Sequence, residues 1–214
     1  EKRSFLPPVS ICVIPFHESI FNQDLVAFAH ALCGESRIEE KLIGNGRVKI
    51  LETLFGKKKI QILIPNSRDD VFGILDVAKV ADVLLCLFPS EAKFDDSCFD
   101  PVGYELLTML RQQGLPSTVL GSVISTGSKD GLKTVGRFFS SEFGEKGKFV
   151  APQNILLAAT VADPTEPIGR RGRGYMLVED VCVIDSQTVQ ISGFARGEGF
   201  STKVAVNLTG VDGT

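Results

Sequence analysis

The sequence predicts an α/β protein, with a three-layer domain on a mostly parallel sheet over roughly residues 1–162 and an all-β piece over 163–214. Three observations carry this. Short apolar runs rich in β-branched residues alternate with segments of helical spacing as far as about Asp163. One run, Val83–Phe88, is apolar throughout, the kind of strand buried on both faces of a parallel sheet. Beyond Pro164 and Pro167, which bracket a stiff connector, the helical period is gone and strands of hairpin spacing take over.

The elements follow in order. Val9–Ile14 reads as the first strand, ended by Pro15. Leu25, Phe28, Ala29 and Leu32 recur at helical spacing, and Gly34 supplies a stop. The turn Gly44-Asn-Gly46 precedes a strand over Val48–Phe55, and Lys57-Lys-Lys59 leads into another, Ile60–Ile64. Asp69-Asp70 can cap a helix over Val71–Val80, because a carboxylate there accepts otherwise unpaired backbone N–H groups. After Val83–Phe88 comes an acidic loop with Asp95, Asp96 and Asp100, then Pro101 at a first helical turn and a helix over Tyr104–Gln113, stopped by Gly114 and Pro116. A strand at Thr118–Val123, a helix near Leu132–Phe143 and a last strand at Asn154–Ala159 complete the series. The all-β piece opens on Gly169-Arg-Arg-Gly-Arg-Gly174 and contains predicted strands at Tyr175–Ile184, Val189–Phe194 and Lys203–Leu208. Three strands make a poor barrel, so the chain is expected to continue beyond them.

Composition narrows the function. With 43% hydrophobic and 23% charged residues the chain can bury a true core. A net charge of −3 excludes coating nucleic acid by bulk electrostatics, so any RNA contact has to be local. The five cysteines form no C-x-x-C pair, and Cys12, Cys86 and Cys182 sit in apolar runs. Buried free thiols are expected rather than disulfides or a zinc site. No signal peptide and no membrane-length apolar run is visible, so the chain reads as soluble and intracellular, with no membrane partner.

Several clusters invite chemistry and are better explained without it. His17, Glu18 and Ser19 are adjacent, but loop neighbours do not generally converge and no G-x-S-x-G elbow exists. Asp95, Asp96, Cys98 and Asp100 lack the glycine and terminal glutamate of a calcium loop, so a solvated acidic loop is expected and no metal.

Asp76-Val-Ala-Lys-Val-Ala-Asp82 before an apolar strand, Gly114-Leu-Pro116 before the next, and Ile191-Ser-Gly-Phe-Ala-Arg-Gly197 occur in a set order. So do an Arg-rich entry at Arg171–Tyr175 and a closing turn at Leu208-Thr-Gly210. Together these residues resemble the Bms/Tsr group of ribosome-biogenesis factors, from about Val9 to the end. The resemblance implies a P-loop GTPase-like domain followed by a translation-factor-type β-barrel, here incomplete, the start of an AARP-type central domain.

The phosphate loop separates the two branches of that group. A working loop needs G-x-x-x-x-G-K-[ST] after the first strand, so that backbone N–H groups close on the phosphates, Lys neutralises charge and Ser/Thr holds Mg²⁺. Here Pro15-Phe-His-Glu-Ser-Ile-Phe-Asn22 stands in that place, without glycine or lysine. Pro15 has no N–H and Glu18 brings a carboxylate, and with His17 and Asn22 they mark the loop as degenerate. Pro65-Asn-Ser-Arg68 replaces the Asp-x-x-Gly, and Ile124-Ser-Thr-Gly127 replaces the guanine-reading Asn-Lys-x-Asp. Nanomolar binding needs about 12 kcal/mol, much of it from charge-assisted phosphate contacts, and three separate losses are hard to offset.

The pattern resembles the Tsr branch, which implies a catalytically inactive mimic of a translational GTPase with no cofactor. The implied partners are the pre-40S ribosomal particle, the 18S rRNA precursor, ribosomal proteins and other assembly factors. The implied location is the nucleolus or nucleus, with passage to the cytoplasm on pre-40S particles. An active GTPase of the Bms type and a protein-interaction scaffold without RNA contact are the alternatives. Arg170, Arg171 and Arg173, set between glycines, are candidates for rRNA phosphates, and a solvated linker is the competing reading. Lys57, Lys58 and Lys59 are weaker candidates, since such a run also serves to protect a hairpin edge. Arg196 is read as structural or RNA-touching alike.

Overall fold

The computed structural model describes residues 7–20, 22–34, 36–43, 46–90, 98–124, 129–162 and 172–207. Asp95, Asp96, Arg170, Arg171, Pro164, Pro167, Ser125–Gly127 and Leu208–Gly210 lie outside them.

A seven-stranded sheet organises the first domain. Its strands are β1 (Val9–Pro15), β2 (Glu39–Ile43), β3 (Val48–Phe55), β4 (Lys58–Pro65), β5 (Val83–Phe88), β6 (Thr118–Val123) and β7 (Gly147–Phe149), in the order β2-β3-β4-β1-β5-β6-β7. The pairs from β4 through β1, β5 and β6 to β7 are parallel, and β2-β3 and β3-β4 are antiparallel. Successive residues of a strand point to opposite faces. Ile11 and Val13 therefore join one core, with Leu25, Phe28 and Ala29 of α1 (Asn22–Cys33) and Ile155, Leu156 and Ala159 of α5 (Ile155–Val161). Cys12 and Ile14 join the other, under α2 (Val71–Val80), α3 (Pro101–Gln113) and α4 (Lys129–Phe143). Each fully buried Leu, Ile or Phe of these cores contributes about 1.5–3 kcal/mol.

One cap matches the sequence reading, that of Asp70, and a second, that of Asp100, was not expected. Asp70 accepts Gly73 N–H at the start of α2, and Asp100 accepts Gly103 N–H at the start of α3, with Pro101 in its first turn.

Three expectations are corrected. Asn154–Ala159 is a helix, not a strand: Pro152–Asn154 forms a 3₁₀ turn, and Ile155, Leu156 and Ala159 are buried at helical spacing while Leu157 faces outward. The sheet instead ends on β7, three residues long and carrying too little pattern to be read. Lys203–Asn207, the described part of the last predicted strand, forms none, because β8 (Gly174–Val183) and β9 (Val189–Gly197) pair with each other and no ladder reaches this segment among the described residues. Cys182 is exposed on β8 rather than buried, whereas Cys12, Cys33, Cys86 and Cys98 are buried. β2 is the remaining surprise, a largely exposed strand whose charged residues hide its strand character.

The β8–β9 sheet packs on the first domain through a polar cluster. A register shift between Val178 and Asp180 marks a bulge at Glu179, whose carboxylate accepts Gln61 Nε2–H at 2.6 Å. Gln61 also donates to Glu52 at 2.7 Å, and Lys59 and Lys41 lie 2.8 and 3.2 Å from Glu52, which is only 3% exposed. Burial alone would raise the Glu52 carboxyl, but Gln61, Lys59 and Lys41 outweigh it and hold it below the ordinary range.

Candidate functional site

The parallel strands β1, β4, β5 and β6 all end at one edge of the sheet, and the loops after them gather there. In an open α/β sheet this edge is where ligands bind. Here it is built over phenylalanine. Phe16, the first residue after β1, is fully buried, with its ring 4.9 Å from Phe99 and 5.8 Å from Phe88. Its N–H donates to Leu87 O at 3.2 Å, which continues the β1–β5 ladder one residue past the strand.

Asp100 is the centre of the edge. It is 8% exposed, and its carboxylate accepts Glu18 N–H at 2.8 Å and Gly103 N–H at 2.7 Å. The Arg68 guanidinium pairs with the same carboxylate. Asp100 N–H in turn donates to Phe16 O at 3.3 Å. The close approach of α3 to the β1–α1 loop needs a glycine, since a Cβ on Gly103 would lie 2.2 Å from Phe16 O. Burial would push the Asp100 carboxyl up, but Arg68 and the Gly103 and Glu18 N–H groups together prevail and hold it below the usual carboxylate range. Asp100 is thus not a solvated loop residue, which corrects the sequence reading at this position.

The degenerate loop residues are placed accordingly. Pro15 ends β1 and is buried, Asn22 opens α1, and Glu18 is exposed with its N–H committed to Asp100. His17 Nδ1 lies 2.8 Å from Ser19 Oγ and accepts Ser19 N–H at 3.1 Å, while Ile20 N–H returns to His17 O at 3.1 Å. These neighbours do converge, against expectation, and what they build is the cap of their own turn. Arg68 closes the Pro65-Asn-Ser-Arg68 stretch that replaces the Asp-x-x-Gly, where Pro65 takes the place of the aspartate and Arg68 that of the glycine.

The basic candidates divide. Lys58 Nζ donates to Thr160 O at 2.5 Å and Lys59 is engaged with Glu52 and lies over the Phe194 ring at 5.9 Å, so both are used within the protein; Lys57 is exposed on the hairpin turn. Arg173 is exposed just before β8. Arg196 is structural: it pairs with Asp82 and donates to Pro8 O at 2.5 Å. Among the described residues no group of three or more His, Cys, Asp or Glu could hold a metal ion. Sequence reading misses Arg68, Asp100 and Asp82 as partners. The Asp-Pro pair at a helix start is a signal for Asp100, and the other two have none.

The strand order and the α/β layering give the larger sheet and its helices a GTPase-like fold, followed by a two-stranded antiparallel sheet. Elongation factor SelB from Methanococcus maripaludis, solved with a GTP analogue, superposes with a TM-score of 0.54 at 9% identity, covering 90% of this chain and 42% of that one, a likeness of fold alone. In sequence, the chain is 28% identical over 170 residues to the pre-rRNA-processing protein TSR1 homolog of Caenorhabditis elegans, covering 72% of this chain and 21% of the relative. It is 28% identical over 233 residues to the homolog of Xenopus laevis, covering 98% of this chain and 27% of the relative. The resemblance to the Tsr branch is therefore found again in curated relatives, of whose length the chain spans 21–27%. No protein-family model matches the chain.

Proposed function

We propose that the chain serves ribosome assembly as a GTPase-shaped module that binds the immature small ribosomal subunit without binding or hydrolysing GTP. One observation carries the reading: the β1–α1 loop, which in a GTPase turns its N–H groups to the phosphates, commits Glu18 N–H to the chain's own Asp100, with Arg68 closing the other side. A phosphate arriving there would meet the exposed Glu18 carboxylate and no lysine. The names of the relatives supply the process, pre-rRNA processing. The mode we propose, in keeping with the GTPase-like fold, is to occupy on the pre-40S particle the region that translational GTPases use and so keep them off. The partners are the 18S rRNA precursor, ribosomal proteins and other assembly factors, in the nucleolus or nucleus and then on exported particles. Arg173, with Arg170 and Arg171, is the proposed phosphate contact, and Lys57 is the remaining free candidate of its run.

The test is titration of a labelled GTP analogue with Mg²⁺ into the protein, beside co-sedimentation with pre-40S particles. No saturable nucleotide binding and stable particle association are expected. Binding at micromolar affinity or tighter would instead favour an active GTPase of the Bms type.

A further inference from the structure

We propose that the Arg68–Asp100 pair is a built-in substitute for nucleotide, a lock that holds the segments a GTPase would move in one conformation whether or not nucleotide is present. The proposal rests on the preceding reading of the site and adds its regulation.

In a GTPase the phosphates and their metal tie together the loop after the first strand and the switch segment that precedes the second helix; hydrolysis releases them. Here the same two segments are tied by protein groups. The β1–α1 loop is held by Glu18 N–H to Asp100 at 2.8 Å and by Asp100 N–H to Phe16 O at 3.3 Å. The segment between β4 and α2 is held by Arg68 on Asp100 and by Asn66 N–H to Arg47 O at 2.6 Å. The third element, α3, carries Asp100 as its own cap through Gly103 N–H at 2.7 Å. A single buried carboxylate thus receives both segments at once, and the cation that draws in the second is supplied by the chain itself. The pair is shielded from solvent, with side-chain exposures of 15% and 10%, so its attraction is little screened by salt.

The lock has a visible consequence at the surface. Phe72, in the first turn of α2 and four residues beyond Arg68, is 77% exposed. With the segment before it fixed, that side chain is displayed constantly instead of being presented in one nucleotide state and withdrawn in the other.

Hydrogen exchange read by mass spectrometry on the whole chain tests this. In the unaltered protein, peptides covering 16–20, 66–72 and 101–104 should be protected and unmoved by added GTP analogue and Mg²⁺. Arg68→Met should raise exchange in 66–72 by about tenfold or more, the factor for one lost charge-assisted hydrogen bond, and leave β5 and α5 as they were. Asp100→Asn should loosen all three segments together, and Arg68→Lys should restore part of the protection. If Asp100→Asn fails to fold, the Arg68 variants carry the test alone. Exchange unchanged in Arg68→Met, or raised evenly across the fold, would overturn the lock while leaving the absence of nucleotide binding untouched. Protection that appears only on adding nucleotide would overturn both.

Discussion

Arg196 and Asp82 stand 114 positions apart and form an ion pair that fastens β9 to the starting end of β1. Asp82 also accepts Ser10 N–H at 2.9 Å and Ser10 Oγ–H at 3.0 Å, and Arg196 reaches Pro8 O. The two residues come from two of the motifs that carry the family resemblance, and the fold brings those motifs into contact. A double-mutant cycle with Arg196→Met and Asp82→Asn should therefore give a coupling of about 1–3 kcal/mol in urea unfolding. Coupling within error of zero would mean that this ion pair does not help to hold the two sheets together.

Replacing Gly103 is expected to be costly for a reason unrelated to helix propensity. Alanine there drives its methyl group into Phe16 O, a backbone atom that cannot swing away. Gly103→Ala should lower stability by about 2 kcal/mol or more, although alanine favours helices over glycine. A neutral or stabilising effect in thermal or urea unfolding would show that α3 can shift freely from the loop.

Acid should reveal Asp100. Its carboxyl binds a proton less readily folded than unfolded, so its contribution to stability is full above the unfolded value of about 3.9 and is lost as pH falls through the lower folded value. The stability difference between the unaltered protein and Asp100→Asn should be largest near neutrality and shrink below about pH 4. Urea midpoints measured from neutral pH down through this range check it, and a constant gap would remove the ion pair from the account.

The thiols should separate cleanly. Burial pushes the Cys12 and Cys86 thiols far above their ordinary value and raises Cys33, and Cys98 is buried as well, whereas Cys182 is exposed. A thiol reagent under native conditions should label Cys182 alone, with the other four reacting only on unfolding. Fast native labelling of Cys12 would contradict the packing of β1.

Legibility in the sequence follows the strength of local pattern. Val83–Phe88 is readable to the residue because a central parallel strand is apolar on both faces, and Thr118–Val123 is recovered to the residue as well. β2 and β7 are not: one is charged and exposed, the other too short to have a period. Ile155–Val161 misleads because a short apolar run fits a buried strand and a buried helix equally well until the preceding Pro152 turn is weighed. The degenerate loop is legible as missing residues. What replaces them is not, since Arg68 meets Asp100 across 32 positions and only the sheet topology brings them together.

The two carboxylates described above sit at opposite ends of one strand. Asp82 receives the amide of Ser10 where β1 begins, and Asp100 receives that of Glu18 just after β1 ends. The middle strand of the sheet is pinned at both tips by charged side chains rooted in neighbouring segments, like a beam bolted to two posts. A slip of one residue along β4 or β5 would turn Ile11 and Val13 into the wrong core and would also have to break both bolts. The sheet is braced from within, by carboxylates of the chain itself.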